Sequence, residues 1–195
     1  MNLTEMRARV REDLRDSDAA NYRWRDDEID GAIERVVREF SLHHPLEQEG
    51  EIATTEGSNE LDISQLSNRI EVYAVEFPLN EAPPSYQDFE IWGDELYMED
   101  EGNGGDAKVR WGKLHTVDAE SSTIGVQFEE IIVLGATGYL ASSAAVAIVD
   151  KVSVGGEGAV ANYHKWGQRR LQRYEKKLKD VSNFRRLSTG RLAIE

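Results

Sequence analysis

The chain has 195 residues, no cysteine and a formal net charge of −14. That length supports one domain, or one domain with a sizeable insertion, around a real core. The missing thiols exclude disulfides and thiolate zinc sites and point to a reducing compartment, and the acidity argues against a general nucleic-acid binder, because counterion release needs clustered Lys and Arg.

The charge is unevenly spread: residues 1–25 carry +1, residues 26–163 carry −22 and residues 164–195 carry +7. The opening MNLTEMRARVREDL is charged and periodic, unlike a signal peptide. Leu3, Met6, Val10 and Leu14 fall on one helical stripe, with Arg7, Arg9, Arg11 and Arg15 largely off it. Asp16-Ser17-Asp18 then breaks the pattern. A second helix follows Trp24, with Asp26 as an acceptor for its free N–H groups and Glu28 in its first turn. Its apolar face is Ile29, Ala32, Ile33, Val36, Val37 and Phe40, and His43-His44-Pro45 ends it.

From residue 48 to 127 the period changes. Ile70–Val75 and Lys108–Trp111 read as strands, with Glu51–Thr54, Phe89–Trp92 and Glu95–Met98 as weaker ones. Pro83-Pro84 marks a loop, and Gly102-Asn103-Gly104-Gly105 reads as a hairpin turn. A third helix is expected over Glu129–Lys151, free of charge from Ile131 to Val149 and rich in small residues, which suits the centre of a bundle. Gly155-Gly156-Glu157-Gly158 forms a joint. A fourth helix is expected over Ala159–Val181, with Val160, His164, Gly167, Leu171, Tyr174, Leu178 and Val181 on one face and basic residues on the rest. The expected organisation is therefore α+β but mainly α: an antiparallel four-helix bundle with a β-rich insertion between helices 2 and 3 and an extended C-terminal tail. Its parts are 1–47 (helices 1 and 2), 48–127 (insertion), 128–181 (helices 3 and 4) and 182–195 (tail). Leu14, Ile33, Val37, Leu134, Leu171 and Leu178 are expected in the core.

Chemistry-bearing motifs are incomplete. Ile132–Leu140 looks like the glycine-rich start of a short-chain dehydrogenase, but Ala141 replaces the third glycine and its flanks are helical. The same segment is long enough to span a membrane, but Gly135, Thr137, Gly138, Ser142 and Ser143 dilute it. The acidic run Glu99–Asp106 fits the start of a calcium loop and then fails at the twelfth position, which is Arg110. His43, His44, His115 and His164 form no helical i, i+4 ligand pair. The expectation is no enzyme, no cofactor and no metal.

Taken together, three helical blocks carry a resemblance. Leu3–Val10, the polar break, and Tyr22-Arg23-Trp24-Arg25-Asp26-Asp27-Glu28-Ile29 approach the pattern W-[ST]-D-x-E-[LI], with Arg25 where Ser or Thr is usual. Val133-Leu134-Gly135-Ala136 lies in a small-residue helix before a glycine joint, and Trp166, Leu171, Tyr174 and Leu178 lie in the closing helix. In this order they resemble the head–tail connector, or adaptor, proteins of tailed bacteriophages; the β insertion is outside the match.

The resemblance implies a structural virion protein of the neck, made in the host cytoplasm. It implies a homo-oligomeric ring, typically a dodecamer, joining the portal protein to a neck or tail-completion protein. Such a ring extends the channel through which DNA passes without specific binding, and has no membrane contact. It also implies portal docking by the tail, here Phe184, Arg185, Arg186, Leu187, Arg191, Leu192 and Ile194. Arg169, Arg170 and Arg173 are the candidate contacts between subunits. The alternative is a non-enzymatic binding module or assembly chaperone, with a dinucleotide-binding enzyme a distant third.

Overall fold

The computed structural model describes residues 1–149 and 157–188, the side chains of 144–149, 157–161 and 184–188 excepted. Helix α1 (Leu3–Leu14) starts with a reciprocal cap: the Asn2 side chain accepts from the Glu5 N–H at 2.9 Å, and the Glu5 carboxylate accepts from the Asn2 N–H, which satisfies two otherwise orphaned donors. It stops at Arg15, whose φ of 55° is left-handed. Helix α2 (Asp26–His43) follows. Helix α3 (Glu129–Val149) is entered through a short 3-10 turn, Val126–Phe128, and α4 spans Glu157–Ser188.

These helices make one compact unit, Met1–His44 with the chain from His115 onward. Its core is Met6, Val10 and Leu14 of α1, Ile29, Ile33, Val36, Val37 and Phe40 of α2, Ile131, Ile132, Val133, Ala136, Leu140 and Ala141 of α3, and Tyr174 and Leu178 of α4. Helix α3 packs against all three other helices, which is why it is apolar on every side. Leu134 and Leu171, expected in the core, are only partly buried; of the expected helix-four stripe, Tyr174 and Leu178 are the buried members of the core.

The second unit, Pro45–Leu114, is a β structure with its own core of Ile52, Leu61, Ile63, Leu66, Val75, Phe77, Leu96, Met98, Ala107 and Val109. Its strands are β1 (Leu46–Ala53), β2 (Glu60–Asp62), β3 (Arg69–Glu76), β4 (Tyr86–Gln87), β5 (Phe89–Trp92), β6 (Glu95–Met98) and β7 (Asp106–Lys113). They form two antiparallel sheets, ordered β1-β7-β3-β4 and β2-β6-β5.

This corrects the expected fold class. With 42% helix and 24% strand in two antiparallel sheets, the protein is an α+β fold with a substantial β structure, not a mainly α four-helix bundle. The strand content is hard to see because one face of these sheets is polar. In β1, LEQEGEIA, only Ile52 is buried, and β2 and β4 are too short to show a period.

Three boundaries also differ. The β unit runs over 45–114, against the expected 48–127. Gly102–Gly105 is no hairpin turn, because β6 and β7 belong to different sheets; Gly57 N–H donates to Gly102 O and Thr54 N–H to Gly105 O instead. The tight hairpin is Trp92-Gly93-Asp94-Glu95, where Gly93 takes a φ of 61° that side-chain-bearing residues avoid. Helix α4 runs past Val181 to Ser188, into the stretch expected as tail. Apolar periodicity ends there, but no Gly or Pro stops the helix before residue 188.

Small residues set how closely α3 approaches its neighbours. A Cβ built on Gly135 would lie 2.9 Å from Val36 Cγ1 and 3.0 Å from the Tyr174 ring, one on Gly138 2.9 Å from the Leu171 side chain, and one on Gly167 2.9 Å from the Ser142 backbone nitrogen. Gly31 in α2 has nothing within 4 Å of its built Cβ. Gly167→Ala is therefore expected to destabilise by about 1–3 kcal/mol, since backbone cannot move aside. Gly31→Ala should stabilise by about 0.4–1 kcal/mol by restricting the unfolded chain. Urea denaturation followed by circular dichroism measures both; equal effects would mean that α3 and α4 are not in close contact.

Candidate assembly surfaces

Before any surface can be presented, the turn between α1 and α2 has to be fixed, and Arg11 fixes it. The side chain is 9% exposed. Its guanidinium donates to Asp16 Oδ2 at 2.8 Å, to Asp26 Oδ1 at 2.6 Å and to the Trp24 carbonyl at 2.9 Å, and lies 3.6 Å over the Tyr22 ring. Asp16 in turn accepts from the backbone N–H of Arg23 and Trp24. The aromatic-acidic cluster that carries the resemblance is thus held from beneath by one arginine of α1. The Arg11 hydrogen bond is the main cause that holds the Asp26 carboxyl below its ordinary value. Asp26 is not the cap expected of it: Arg25 occupies that position, and its N–H donates to Glu28 at 2.8 Å. Arg7 grips Asp30 with two bonds of 2.8 and 2.7 Å.

A second tie joins α2, α3 and α4. Glu39 accepts from the Tyr139 hydroxyl at 2.9 Å and from the Tyr174 hydroxyl at 3.1 Å, while Arg35 donates to Glu39 and covers the Tyr139 ring at 3.8 Å. Burial first, then the Glu39 carboxylate, raises both phenols. These hydroxyls are structural donors. Gly135 and Gly138 are interior positions of α3 packed on α2 and α4, so the glycine motif does not form a strand-to-helix turn.

At the end of α2, Phe40, His44, His115 and Phe128 pack together with ring centroids 4.7–6.2 Å apart, Phe40 stacked on His44 and the other pairs tilted. His115 Nε2 is 3.0 Å from the His44 carbonyl, and its Nδ1 is 3.0 Å from the Thr123 hydroxyl and 3.1 Å from the Thr123 carbonyl. Two carbonyls favour the imidazolium, but desolvation is the larger effect, and the His115 pKa is lowered from its usual 6.5. The neutral ring can donate from Nε2 and accept from the Thr123 hydroxyl at Nδ1.

The outer side of α4 carries the candidate subunit contacts. Arg170 is already engaged, 2.6 Å from Asp13 and stacked over Trp166 at 4.7 Å. Arg169 and Arg173 are exposed, as are Lys165 and Lys176. The backbone of Phe184, Arg185, Arg186 and Leu187 continues α4; their side chains, and Arg191, Leu192 and Ile194 altogether, lie outside the described residues. In the other unit, residues 45–114 carry seventeen acidic and four basic side chains, a net −13. Sequence reasoning missed Arg11; its one signal was its place a helical turn after Arg7, on the side facing the Asp-rich break. Among the described residues no helix is long and apolar enough to cross a membrane. No protein-family model matches this chain, and no curated protein sequence matches it.

Replacing Arg11 by Leu strands Asp16 in a buried site and should cost about 3 kcal/mol, whereas Arg9→Ala on the exposed side should cost under about 0.5 kcal/mol; chemical denaturation distinguishes them. For His115 the sign follows from its lowered pKa. The unfolded chain binds the proton more readily, so the stabilisation is complete above pH 6.5 and declines as pH falls towards the lowered folded value. Thermal melts of the parent and His115→Gln should converge as pH is lowered from about 7.5 to 5, and a constant gap would show that His115 does not titrate on unfolding.

Proposed function

We propose that the protein is a non-enzymatic subunit of an adaptor ring in a bacteriophage neck, seated on the portal and continuing its DNA channel. The observation that carries this reading is the segregation of charge onto separate parts of one chain. The β unit holds a net −13 of the chain's −14, while Lys165, Arg169, Arg173 and Lys176 of α4 are exposed and make no ion pair among the described residues. Opposite charges on different surfaces favour heterologous association, which closes into rings when the rotation permits. An acidic lumen wall repels phosphate and lets DNA slide. The opening α1–turn–α2 motif, held by Arg11, adds support, because it is the part of the chain that most resembles connector proteins.

In this reading the helical unit forms the body of the ring, and the basic segment that ends α4 seeks an acidic groove on the portal. No reaction step is assigned to any side chain.

Mass photometry of the protein alone and mixed with portal rings tests the proposal. A ring-sized mass increment on the portal is expected. Stoichiometric binding without a ring would favour a binding module or chaperone, and no association at all would sink the neck assignment. Deleting Leu187–Glu195 should abolish portal attachment with almost no change in melting temperature. Charge reversal at Arg185, Arg186 and Arg191 should weaken attachment most at low salt, where screening is least.

A further inference from the structure

The register of the three-stranded sheet sorts its side chains onto two unlike faces. Residues directly opposite in an antiparallel pair share a face. Leu61, Leu96 and Ile91 therefore share one face with Phe89 and Met98; Leu61, Leu96 and Met98 are buried in the β core, Phe89 packs against it, and Ile91 of the edge strand is exposed. The other face collects Glu60 and Asp62 from β2, Glu95 and Tyr97 from β6, and Glu90 and Trp92 from β5. That outer face has four carboxylates, two aromatic rings and no cation. Trp92 is 74% exposed, and β5 is an edge strand, paired on one side only. Asp62 and Glu95 stand directly opposite each other, an arrangement that costs stability in an isolated sheet. The Tyr97 hydroxyl donates to Glu95 at 2.6 Å, and Glu95 stands directly opposite Trp92.

The complementary surface is on the same chain. Lys165, Arg169, Arg173 and Lys176 of α4 recur at spacings of four, four and three, on one exposed stripe about 16 Å long. None of the four makes an ion pair among the described residues. The sheet face is about 10 Å across its three strands and about 10 Å along them, so it can meet two or three such cations at once.

We propose that the outer face of β2-β6-β5 in one copy receives the α4 stripe of a second copy. A guanidinium from Arg169 or Arg173 covers the Trp92 indole, and Glu60, Asp62, Glu90 and Glu95 pair with the neighbouring cations. Tryptophan is the strongest aromatic partner for a cation, and arginine stacks on it while still donating to a carboxylate. The acceptor face and the donor stripe are different surfaces, so the contact is head-to-tail and leaves both available on the outer copies. The inference deepens the ring reading and rests on it for closure, though not for the contact itself.

An equal mixture of ordinary and 15N-labelled full-length chains, cross-linked with a zero-length carbodiimide at low salt, tests the contact. Mixed-isotope peptides joining Glu90 or Glu95 to Lys165 or Lys176 are expected. Links confined to one isotope, or none between these residues, overturn it. Sedimentation provides the second measurement. Trp92→Ala and Arg169→Glu with Arg173→Glu should each weaken self-association by at least about tenfold, and adding Glu90→Arg with Glu95→Arg to the arginine reversals should restore it. Association unaffected by either change overturns the contact too. A ring on the portal without these links removes the contact and leaves the ring reading standing; these links without a closed ring do the opposite.

Discussion

Close approach of α3 to its neighbours constrains everything else in the helical unit. Glycines 135, 138 and 167 leave no space for a side chain at the points where α3 meets Val36, Leu171 and Tyr174, and where α4 meets Ser142. At such short separations a methyl group is felt directly, because protein interiors are packed like crystals. Small residues therefore set the spacing, and larger ones take their places around it. Tyr174 reaches across α3 to Glu39 of α2; Thr137, fully buried, returns its hydroxyl to the Val133 carbonyl at 2.7 Å. The glycines that look like a cofactor motif are the device that lets α3 pack closely against α2 and α4.

Around that centre, charge is spent locally in some places and left free in others. Arg7, Arg11 and Arg170 are tied within the helical unit to Asp30, to Asp16 and Asp26, and to Asp13. Arg169 and Arg173 make no ion pair among the described residues. In the β unit Arg69 donates to the Ile63 and Gly93 carbonyls and pairs with Asp94 at 3.3 Å, one of only four basic side chains among seventeen acidic ones. A fold that neutralises some ion pairs thoroughly and leaves whole faces of one sign has its remaining electrostatics directed outward. Both the ring reading and the contact between copies follow from that division.

Much of the helical unit was legible in the sequence because helices report themselves locally. Ile29, Ile33, Val36, Val37 and Phe40 recur at helical spacing and are buried together, and the uncharged run from Ile131 forms α3. The β unit was less legible. β1 alternates Glu with small or polar residues, and its partner β7 is more than fifty residues distant, so neither strand carries the pairing information by itself. The candidate surfaces divided in the same way. Charge totals and the basic character of α4 were readable, but which arginines are occupied was not: Arg169 and Arg170 are adjacent and chemically identical, and only the position of Asp13 separates their roles.

The sequence alone determined which four segments form helices, most of the residues on their apolar stripes, and that an acidic middle precedes a basic end. These are properties of spacing and composition, carried within a few turns of chain. The tertiary structure decided that Arg11 is a buried anchor, that Leu171 is only partly buried, and how the strands of residues 45–114 pair into two sheets around a core of their own. It also decided that Trp92 stands among four carboxylates. Each of these depends on segments far apart in the chain being brought within a few ångströms of one another, and on strand register assigning side chains to faces.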